Sequence, residues 1–342
     1  MKRRIHFPIA AIILLLFVVA LIGVGVFWLK EDPLWTAVMA PAKLASSALQ
    51  TAENEISAPQ IDAAIEKNYE DNFKTSFQTE AAYVVDESGR VLFAQNEHER
   101  LYPASTTKLM TAYLAMQHTE DLDALITVAE LTGCYEEDSI LLYLEEGDQI
   151  SMRDLITALL LYSYNDAATA IAMEVGGSLE NFAALMNEQA KELGALDTHF
   201  VTPHGLHDEN HYTTAYDLNL ILQAVYQEEV LTQIMLMESA TIQILRGEEQ
   251  LTQEIENASF FVRGLYEVPT MEYVAGKTGY TSKAQSCLAS AFSLNDRIYF
   301  STIMKSEDAS YMTAILLDYY FAPEALPKFS KTIPLMRELS AA

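Results

Sequence analysis

Three short strings of residues, in one order along the chain, limit the folds it can adopt more than any other feature does. They are STTK at Ser105–Lys108, SYN at Ser163–Asn165 and KTG at Lys277–Gly279. Together they supply a hydroxyl nucleophile, an amine base, a second hydroxyl close to an amide, and a cation next to a hydroxyl. These groups can act on one substrate only if the fold brings distant parts of the chain to a single pocket. The sequence therefore predicts one catalytic domain whose site is shared by a helix, a turn and a strand.

The composition of the 342-residue chain narrows the classes of partner. Half of the residues (50%) are hydrophobic, which is enough for one large domain with an appendage. Acidic residues outnumber basic residues 48 to 21, and the formal charge is −27. No stretch concentrates lysine and arginine enough to neutralise a row of phosphates. Nucleic acid is therefore not an expected partner, and we interpret the charge as a solvated, repulsive surface.

The amino terminus predicts a membrane anchor. The basic string KRR at residues 2–4 precedes an apolar run at residues 9–29 that is long enough to span a bilayer as a helix. A cleaved signal is the alternative, but the nearest small-x-small triplet, at residues 40–42, lies well downstream and contains proline. We expect residues 1–30 to form a cytoplasmic stub with an uncleaved transmembrane helix. Residues 31–75, rich in alanine, serine and glutamate, are then an extracytoplasmic spacer.

The pattern of helices and strands predicts an α+β domain. Two runs of β-forming residues, AAYVVD and RVLFAQ, flank a turn at residues 87–89 and predict a hairpin. Helices are predicted from Ser105 onwards and after Ser151, which has Asp154 three residues later as in a capping box. Further amphipathic segments follow, and strand-like alternation returns after Tyr273 before a closing helix. This order favours a sheet covered by helices.

The spacing of the first string favours an activated serine. The hydroxyl of Ser105 needs a base, and three residues later on a helix the amine of Lys108 lies on the same face. The backbone amide of Ser105, at a helix start, is a candidate donor to an oxyanion. For Lys108 to accept a proton it must be neutral. Burial and the positive charge of Lys277 would both lower its pKa.

The other two strings predict a proton relay and an anion clamp. Ser163 and Asn165 are two residues apart and are expected to face the cleft together. The hydroxyl can pass a proton between the base and a leaving amine, and the amide can hold a carbonyl group. Glycines on both sides of Lys277 and Thr278 allow a strand edge to approach a peptide, whose carboxylate the lysine and hydroxyls can bind. Each string alone is common, whereas the ordered set is specific.

These strings and their surroundings resemble a known family. LYPASTTKLMTAYLA, TPHGLHDENHYTTAYDL and GKTGYTSKA are similar to segments of the low-molecular-mass penicillin-binding proteins, which are serine-type D-alanyl-D-alanine carboxypeptidases of bacterial cell walls. The resemblance covers about residues 81–321. It implies the fold of the serine β-lactamases and penicillin-binding transpeptidases, in which a sheet is flanked by helices and joined by a helical subdomain. We expect a catalytic domain at residues 76–325, outside the bacterial cytoplasmic membrane, and a tail at residues 326–342.

The resemblance also implies a role for each matching residue. Ser105 is the acylated nucleophile, Lys108 the general base and Ser163 the proton relay. The backbone amides of Ser105 and Tyr280 form the oxyanion hole. No metal or organic cofactor is expected. The substrate is a peptidoglycan stem peptide ending in D-Ala-D-Ala, and β-lactam antibiotics are covalent inhibitors. The substrate-binding positions are Asn165, Lys277, Thr278, Gly279, Tyr280 and Thr281.

Two positions depart from the family pattern near the expected carboxylate site. Gln285 stands where members usually have glycine. The arginine that helps to hold the substrate carboxylate has no counterpart in residues 307–314, and the nearest cation is Lys305. The sequence therefore predicts acylation more firmly than it predicts how the carboxylate is bound.

Several side chains have a second interpretation. His204, His207 and His211 could hold a metal ion, but the proline and glycine around them favour structural roles. Cys134 and Cys287 could pair, although two separate buried thiols are the preferred interpretation. Most tyrosines are expected to pack in the core or along the cleft wall. Tyr162 precedes the second string and Tyr164 lies within it, and of these two Tyr164 is expected in the cleft.

Two rival functions also stay open. A β-lactamase of the same fold must deacylate penicillin fast, and class A members use a glutamate-x-x-leucine-asparagine loop, a string that this sequence lacks. A membrane-tethered relative that only binds wall peptide is the other rival. The presence of Ser105, Lys108, Ser163 and Lys277 argues against this non-catalytic interpretation.

Overall fold

A computed structural model of the chain describes residues 77–136 and 139–321. The predicted anchor, spacer and C-terminal tail lie outside the described residues. In the part that is described, no helix combines the length and apolar character needed to cross a bilayer. The helices are α1 Lys108–His118, α2 Met152–Leu161, α3 Asn165–Gly176, α4 Leu179–Glu192, α5 Ala215–Tyr226, α6 Glu229–Leu236 and α7 Ala309–Phe321, and a 3-10 turn covers Ala104–Thr107.

The described strands form two antiparallel sheets. The larger sheet has the order β2-β1-β9-β8-β7, and the smaller has the order β3-β4-β5-β6. The predicted hairpin is confirmed, since β1 and β2 pair antiparallel. The strands are β1 Thr79–Asp86, β2 Val91–Gln95, β3 Leu125–Thr127, β4 Gln149–Ser151, β5 Ser239–Arg246, β6 Glu249–Glu256, β7 Glu272–Thr281, β8 Gln285–Leu294 and β9 Arg297–Ser306.

Buried apolar residues on both faces of the larger sheet form two hydrophobic cores. In β8, Ala289 and Ala291 face the core shared with helices α1 to α6. Leu288 and Phe292 face the core shared with α7. Neighbouring strand residues point to opposite faces, so a strand whose six central residues are all buried serves both layers. The sheet is therefore covered by helices on both sides, as the α+β pattern predicted, and β7 at its edge is left beside the cleft.

Local sequence signals set the ends of two helices that flank the site. Ser151 caps α2 because its hydroxyl accepts a hydrogen bond from the backbone N–H of Asp154, at 3.0 Å. Gly177 caps the C-terminal end of helix α3, and its φ of 68° is the left-handed conformation that glycine adopts without strain. The predicted helix start at Ser151 is confirmed. These are the outer ends of the two helices, and the short turn that joins α2 to α3 carries the second string.

The smaller sheet was not predicted. Its longest pair, β5 and β6, is a hairpin that turns at Gly247, with a φ of 62°. Alternation was visible in β5, where Ile242 and Ile244 are buried and Gln243 between them is exposed. Strands β3 and β4 have three residues each, which is too short for a periodic signal. The sheet packs against α2, the helix that leads to the second string.

Candidate active site

The nucleophile lies on a tight turn that leads into α1. Residues Ala104–Thr107 form a 3-10 turn, and Lys108 is the first residue of the α-helix. The sequence predicted a single α-helix from Ser105, so the start of that helix is tighter than expected. The 3-10 turn still places residues three apart on one side. The Nζ atom of Lys108 lies 2.9 Å from the Oγ atom of Ser105, which confirms the predicted pair.

Two glycines hold this turn in place. A β-carbon on Gly279 would lie 2.9 Å from the backbone nitrogens of Ser105 and Thr106. A β-carbon on Gly205, whose φ is 84°, would overlap the carbonyl oxygen of Ala104. Ala104 itself has a φ of 50°, a left-handed conformation that is costly for alanine. The nucleophile turn is therefore packed between two backbones that approach it more closely than any side chain would permit.

Lys108 is fully buried and hydrogen-bonded on three sides. Besides Ser105, its Nζ atom contacts Oδ1 of Asn165 and the carbonyl oxygen of His204, each at 2.8 Å. Burial lowers the pKa of Lys108 well below its ordinary value, and the positive charge of Lys277 lowers this pKa further. The neighbouring carboxylate of Asp166 acts in the opposite direction. Both effects that the sequence predicted for Lys108 are present, and burial is the larger one.

The acceptors around Lys108 determine where its lone pair points. A neutral amine has two N–H groups and one lone pair. The carbonyl oxygens of Asn165 and His204 can only accept hydrogen bonds, so they take the two N–H groups. The lone pair is then left for the third contact, the hydroxyl of Ser105. This arrangement allows Lys108 to accept the Ser105 proton.

Ser163 lies on the turn between α2 and α3, where its φ is 70°. Its hydroxyl is buried and makes no hydrogen bond to any described residue. A direct contact with Lys108, which the relay role would use, is absent from the described structure because the three contacts of that amine go elsewhere. Asn165, the first residue of α3 after this turn, does contact Lys108, so the turn lies next to the site. The relay role of Ser163 stays a prediction.

The third string lies on β7, beside the nucleophile turn. Lys277 is buried, and burial lowers its pKa to about 7. Its Nζ atom donates to the carbonyl oxygen of Thr278 at 3.0 Å. The Oγ1 atom of Thr281 accepts a hydrogen bond from the N–H of Ala284 at 3.0 Å, which leaves its own proton free to donate. Tyr280 lies between Lys277 and Thr281 in the sequence. Its side chain is 71% exposed and is accessible at the strand edge.

Lys305, the nearest cation after the missing arginine, is directed away from β7. It lies near the end of β9, and its Nζ atom pairs with Oε2 of Glu80 on β1 at 3.3 Å. Strand β8 separates β9 from β7 in the sheet. Gln285, the other departure from the family pattern, has a φ of 56° where glycine would be unstrained. Lys305 therefore pairs with a residue of β1, on the side of β9 opposite to β8 and β7.

Comparison with known proteins decides the family. A profile described as D-alanyl-D-alanine carboxypeptidase matches residues 67–307. The chain belongs to this family. The D-alanyl-D-alanine carboxypeptidase DacF of Bacillus subtilis is 31% identical over 71% of this chain and 61% of its own length. DacD of Escherichia coli is 33% identical over 65% of this chain and 56% of its own length. The chain thus spans less than two thirds of these carboxypeptidase relatives.

Solved structures agree with this assignment. A D-alanyl-D-alanine carboxypeptidase from Mycobacterium tuberculosis matches with a TM-score of 0.63 and 28% identity, over 71% of this chain and 91% of that one. A DD-transpeptidase of Streptomyces matches with a TM-score of 0.65 and 22% identity, over 72% of this chain and 99% of that one, which supports the fold alone. The expected α+β fold of the family is confirmed for the described residues.

The candidate site also includes residues that the sequence strings did not identify. The carbonyl of His204 contacts Lys108, Gly205 packs on the nucleophile turn, and the Oγ atom of Ser139 lies 3.3 Å from Nδ2 of Asn165. Asp166 comes directly after the second string, and its buried carboxylate accepts backbone hydrogen bonds. Of these residues, only Asp166 could have been identified from the sequence, because it is an acidic residue in the first turn of a helix. The others are long-range contacts without a sequence pattern.

His211 has a structural role behind the nucleophile turn. Its Nδ1 atom accepts the backbone N–H groups of Val201 and Thr202, at 3.0 and 3.2 Å. The remaining proton must then be on Nε2, which lies 2.9 Å from Oγ1 of Thr107. Burial lowers the pKa of His211 to about 3, so the ring is neutral. The structural interpretation of this histidine is supported by all three contacts.

The other two histidines of the loop differ from each other. His204 is buried, its Nδ1 atom accepts the N–H of Leu206 at 3.2 Å, and burial lowers its pKa to about 3. His207 packs edge-on against Tyr102, with ring centroids 4.6 Å apart. Within residues 77–136 and 139–321, no group of three or more histidine, cysteine, aspartate or glutamate side chains is arranged to hold a metal ion.

Two further expectations have definite outcomes. Cys134 and Cys287 are separate, buried thiols, as the preferred interpretation stated. The choice of Tyr164 for the cleft was wrong, because this side chain is only 5% exposed and its OH accepts a hydrogen bond from Gln253 of β6. Tyr162 is the exposed member of the pair, at 40%. The left-handed backbone of Ser163 turns its two neighbours in directions that spacing alone does not predict.

Proposed function

We propose that this chain is a membrane-anchored serine D-alanyl-D-alanine carboxypeptidase, which removes the terminal D-alanine from peptidoglycan stem pentapeptides through an acyl-enzyme on Ser105. The observation that carries the proposal is the environment of Lys108. This buried amine has two carbonyl acceptors for its N–H groups and the Ser105 hydroxyl at 2.9 Å. A lysine held in this way is a general base for a serine nucleophile.

Acylation then follows from these contacts. Lys108 takes the proton of Ser105 as the serine oxygen attacks the carbonyl carbon of the penultimate D-alanine. The amides of Ser105 and Tyr280 are the proposed donors to the oxyanion, and the packing of Gly279 on the Ser105 turn supports their proximity. The C–N bond breaks, the acyl group stays on Ser105, and the proton goes to the leaving amine of D-alanine. We propose Ser163 as the relay for this proton, since its buried hydroxyl has no partner among the described residues.

Water completes the reaction. It attacks the ester on Ser105, the same base accepts its proton, and the shortened tetrapeptide leaves with Ser105 restored. The D-alanine carboxylate is proposed to bind at Lys277, Thr278 and Thr281. An anion beside Lys277 would raise the pKa of that amine above its value of about 7, so the bound complex would hold the charged form. β-Lactams would acylate Ser105 by the same first step and form a slowly hydrolysed ester.

The location of the enzyme is part of the proposal. The basic residues 2–4 and the apolar run at residues 9–29 favour a single-pass anchor in the bacterial cytoplasmic membrane. The catalytic domain would then lie outside the membrane, where the stem peptides are. A secreted form is expected if the segment is cleaved.

The decisive assay measures D-alanine release. The full chain, purified in detergent, is incubated with a stem pentapeptide and compared with its Ser105→Ala variant. We expect D-alanine and tetrapeptide from the natural chain and none from the variant. Mass spectrometry after exposure to penicillin should find a stable adduct on Ser105. Rapid penicillin turnover without an adduct would favour a β-lactamase. No D-alanine release would favour a peptide-binding protein without activity.

A further inference from the structure

A short segment next to the second string contacts Asn165 directly. We call residues 139–145 the Tyr143 segment. The backbone N–H of Asn165 donates to the carbonyl oxygen of Ile140 at 2.9 Å, and Nδ2 of Asn165 lies 3.3 Å from Oγ of Ser139. The amide oxygen of Asn165 in turn accepts from Lys108 at 2.8 Å. The segment therefore sets the position of the side chain that orients the base.

From the helical side, the segment is fixed by Asp166. This buried carboxylate accepts the backbone N–H of Leu142 at 2.9 Å and that of Leu144 at 3.1 Å. The two donors lie on either side of Tyr143. Hydrogen bonds to a buried charged group are among the stronger ones in a protein. The inner edge of the segment is thus tied to the first turn of α3.

From the opposite side, the segment is fixed by Arg246. Arg246 is the last residue of β5 in the smaller sheet. Its Nη2 atom donates to the carbonyl oxygen of Tyr143 at 2.9 Å. Its Nε and Nη2 atoms also contact the two carboxylate oxygens of Asp148, each at 2.8 Å. Asp148 accepts the N–H of Glu145 at 2.8 Å, and Arg246 forms an ion pair with the side chain of Glu145. One planar guanidinium therefore holds three parts of the segment and its continuation.

The backbone of Tyr143 explains why two anchors are present. Its φ of 62° is left-handed, a conformation that is strained for a residue with a side chain. The ring is 74% exposed, so packing of the side chain does not compensate for this strain. The contacts of Asp166 and Arg246 on either side of the residue maintain the conformation. Residues held in this way concentrate at functional sites.

We propose that Arg246 is a positioning residue for acylation, which acts through the Tyr143 segment on Asn165 and thereby on Lys108. The inference rests on the proposed function, because it assumes that Lys108 is the base for Ser105. Arg246 touches none of the reacting groups. Its removal would release the Tyr143 carbonyl, allow the backbone to leave the left-handed conformation, and loosen the hold of the segment on Asn165.

The test compares two arginines in the full chain. Arg246→Met removes the anchor, and Arg153→Met is the matched control, since Arg153 binds Asp123 in a two-pronged pair at 2.6 and 3.1 Å without contacting the segment. We expect Arg246→Met to slow acylation of Ser105 by penicillin about tenfold, the size of one charged hydrogen bond. The control should stay within about twofold of the natural chain.

A double-mutant cycle separates positioning from general stability. Glycine adopts a positive φ freely, so Tyr143→Gly should keep the segment in place without help from the guanidinium. The loss caused by Arg246→Met should therefore be smaller in the Tyr143→Gly background. Equal losses in both backgrounds would overturn the proposal. Equal rates for Arg246→Met and Arg153→Met would overturn it as well.

A second measurement keeps the inference independent of activity. Hydrogen exchange of the amides of Leu142, Leu144 and Asn165 should quicken in Arg246→Met and stay unchanged in Arg153→Met. Unchanged exchange in Arg246→Met would refute the positioning role even in a chain that penicillin does not label. Failure of penicillin to label the natural chain, with exchange altered as expected, would instead refute the proposed function.

Discussion

Replacing Gly279 by alanine is expected to slow acylation of Ser105 by between about 10² and 10³-fold. The new β-carbon would lie 2.9 Å from three atoms of the nucleophile turn: the carbonyl oxygen of Pro103 and the backbone nitrogens of Ser105 and Thr106. Favourable contacts between such atoms begin near about 3.5 Å, so the turn must move by roughly half an ångström. Gly279 is not among the glycines with positive φ, so alanine fits its backbone and the effect is steric.

The size of the effect follows from the role proposed for the Ser105 amide. A donor to an oxyanion acts at about 2.7–3.1 Å, and a shift of half an ångström removes it from this range. Loss of one such donor costs about 3 to 4 kcal/mol of transition-state stabilisation. The assay is the second-order rate constant for labelling by a fluorescent penicillin, measured together with the melting temperature.

Gly276→Ala is the control for this prediction. Its β-carbon would lie 2.7 Å from the carbonyl oxygen of Ala289 and from the hydroxyl of Tyr273, and none of its three nearest contacts is in the nucleophile turn. We expect this variant to lower the melting temperature but to retain more labelling than Gly279→Ala does. The reasoning is refuted if Gly279→Ala is labelled within about threefold of the natural rate, or if both variants lose labelling equally.

Three further predictions concern charge and burial. Lys277→Ala removes a cation that lowers the pKa of Lys108, so the acidic limb of the pH–rate profile for acylation should move to higher pH, whereas Lys283→Ala on the exposed turn should not move it. Ser163→Ala should reduce D-alanine release at least about tenfold without lowering the melting temperature, because the hydroxyl it removes is buried without a partner among the described residues. His211 has a folded pKa of about 3 against 6.5 for a free histidine, so its contribution to stability is lost as pH falls below about 6.5. In urea unfolding, the natural chain should lose on the order of 2 kcal/mol more than His211→Asn between about pH 8 and about pH 5.

Each of these has a result that would count against it. An unchanged pH–rate profile in Lys277→Ala would remove the electrostatic part of the account of the base. A marked fall in the melting temperature of Ser163→Ala would indicate that its hydroxyl has a structural partner. Equal acid sensitivity of the natural chain and His211→Asn would show that protonation of this ring does not drive acid unfolding.

The sequence predicted the pair of Ser105 and Lys108 more accurately than it predicted the residues that surround this pair. Ser105 and Lys108 are one turn apart, so their contact depends on local backbone geometry alone. The start of α2 depended on the equally local bond between Ser151 and the N–H of Asp154. The Tyr164 prediction failed because it assumed an ordinary backbone at Ser163, whose φ is 70°. A residue other than glycine that adopts a positive φ cannot be recognised from the sequence.

The contacts that the smaller sheet makes near the site show a second limit of prediction from sequence. Strand β5 had a visible alternation, but nothing in its sequence indicates that Arg246 at its end would contact Tyr143 and Asp148. Lys305 is a similar case. Its distance along the chain from β7 was known, whereas its pairing with Glu80 depends on the order of strands in the sheet.

The amino-acid sequence alone determined which chemical groups this carboxypeptidase family member has, their order, and the contacts that form within one helical turn, because such contacts need only local dihedral angles. Tertiary structure decided the properties that make those groups reactive. Burial lowers the pKa of Lys108, two carbonyl acceptors from distant segments aim its lone pair, and Gly279 fixes the nucleophile turn. Desolvation and close packing depend on the whole arrangement of helices and sheets, and no short stretch of sequence contains that information.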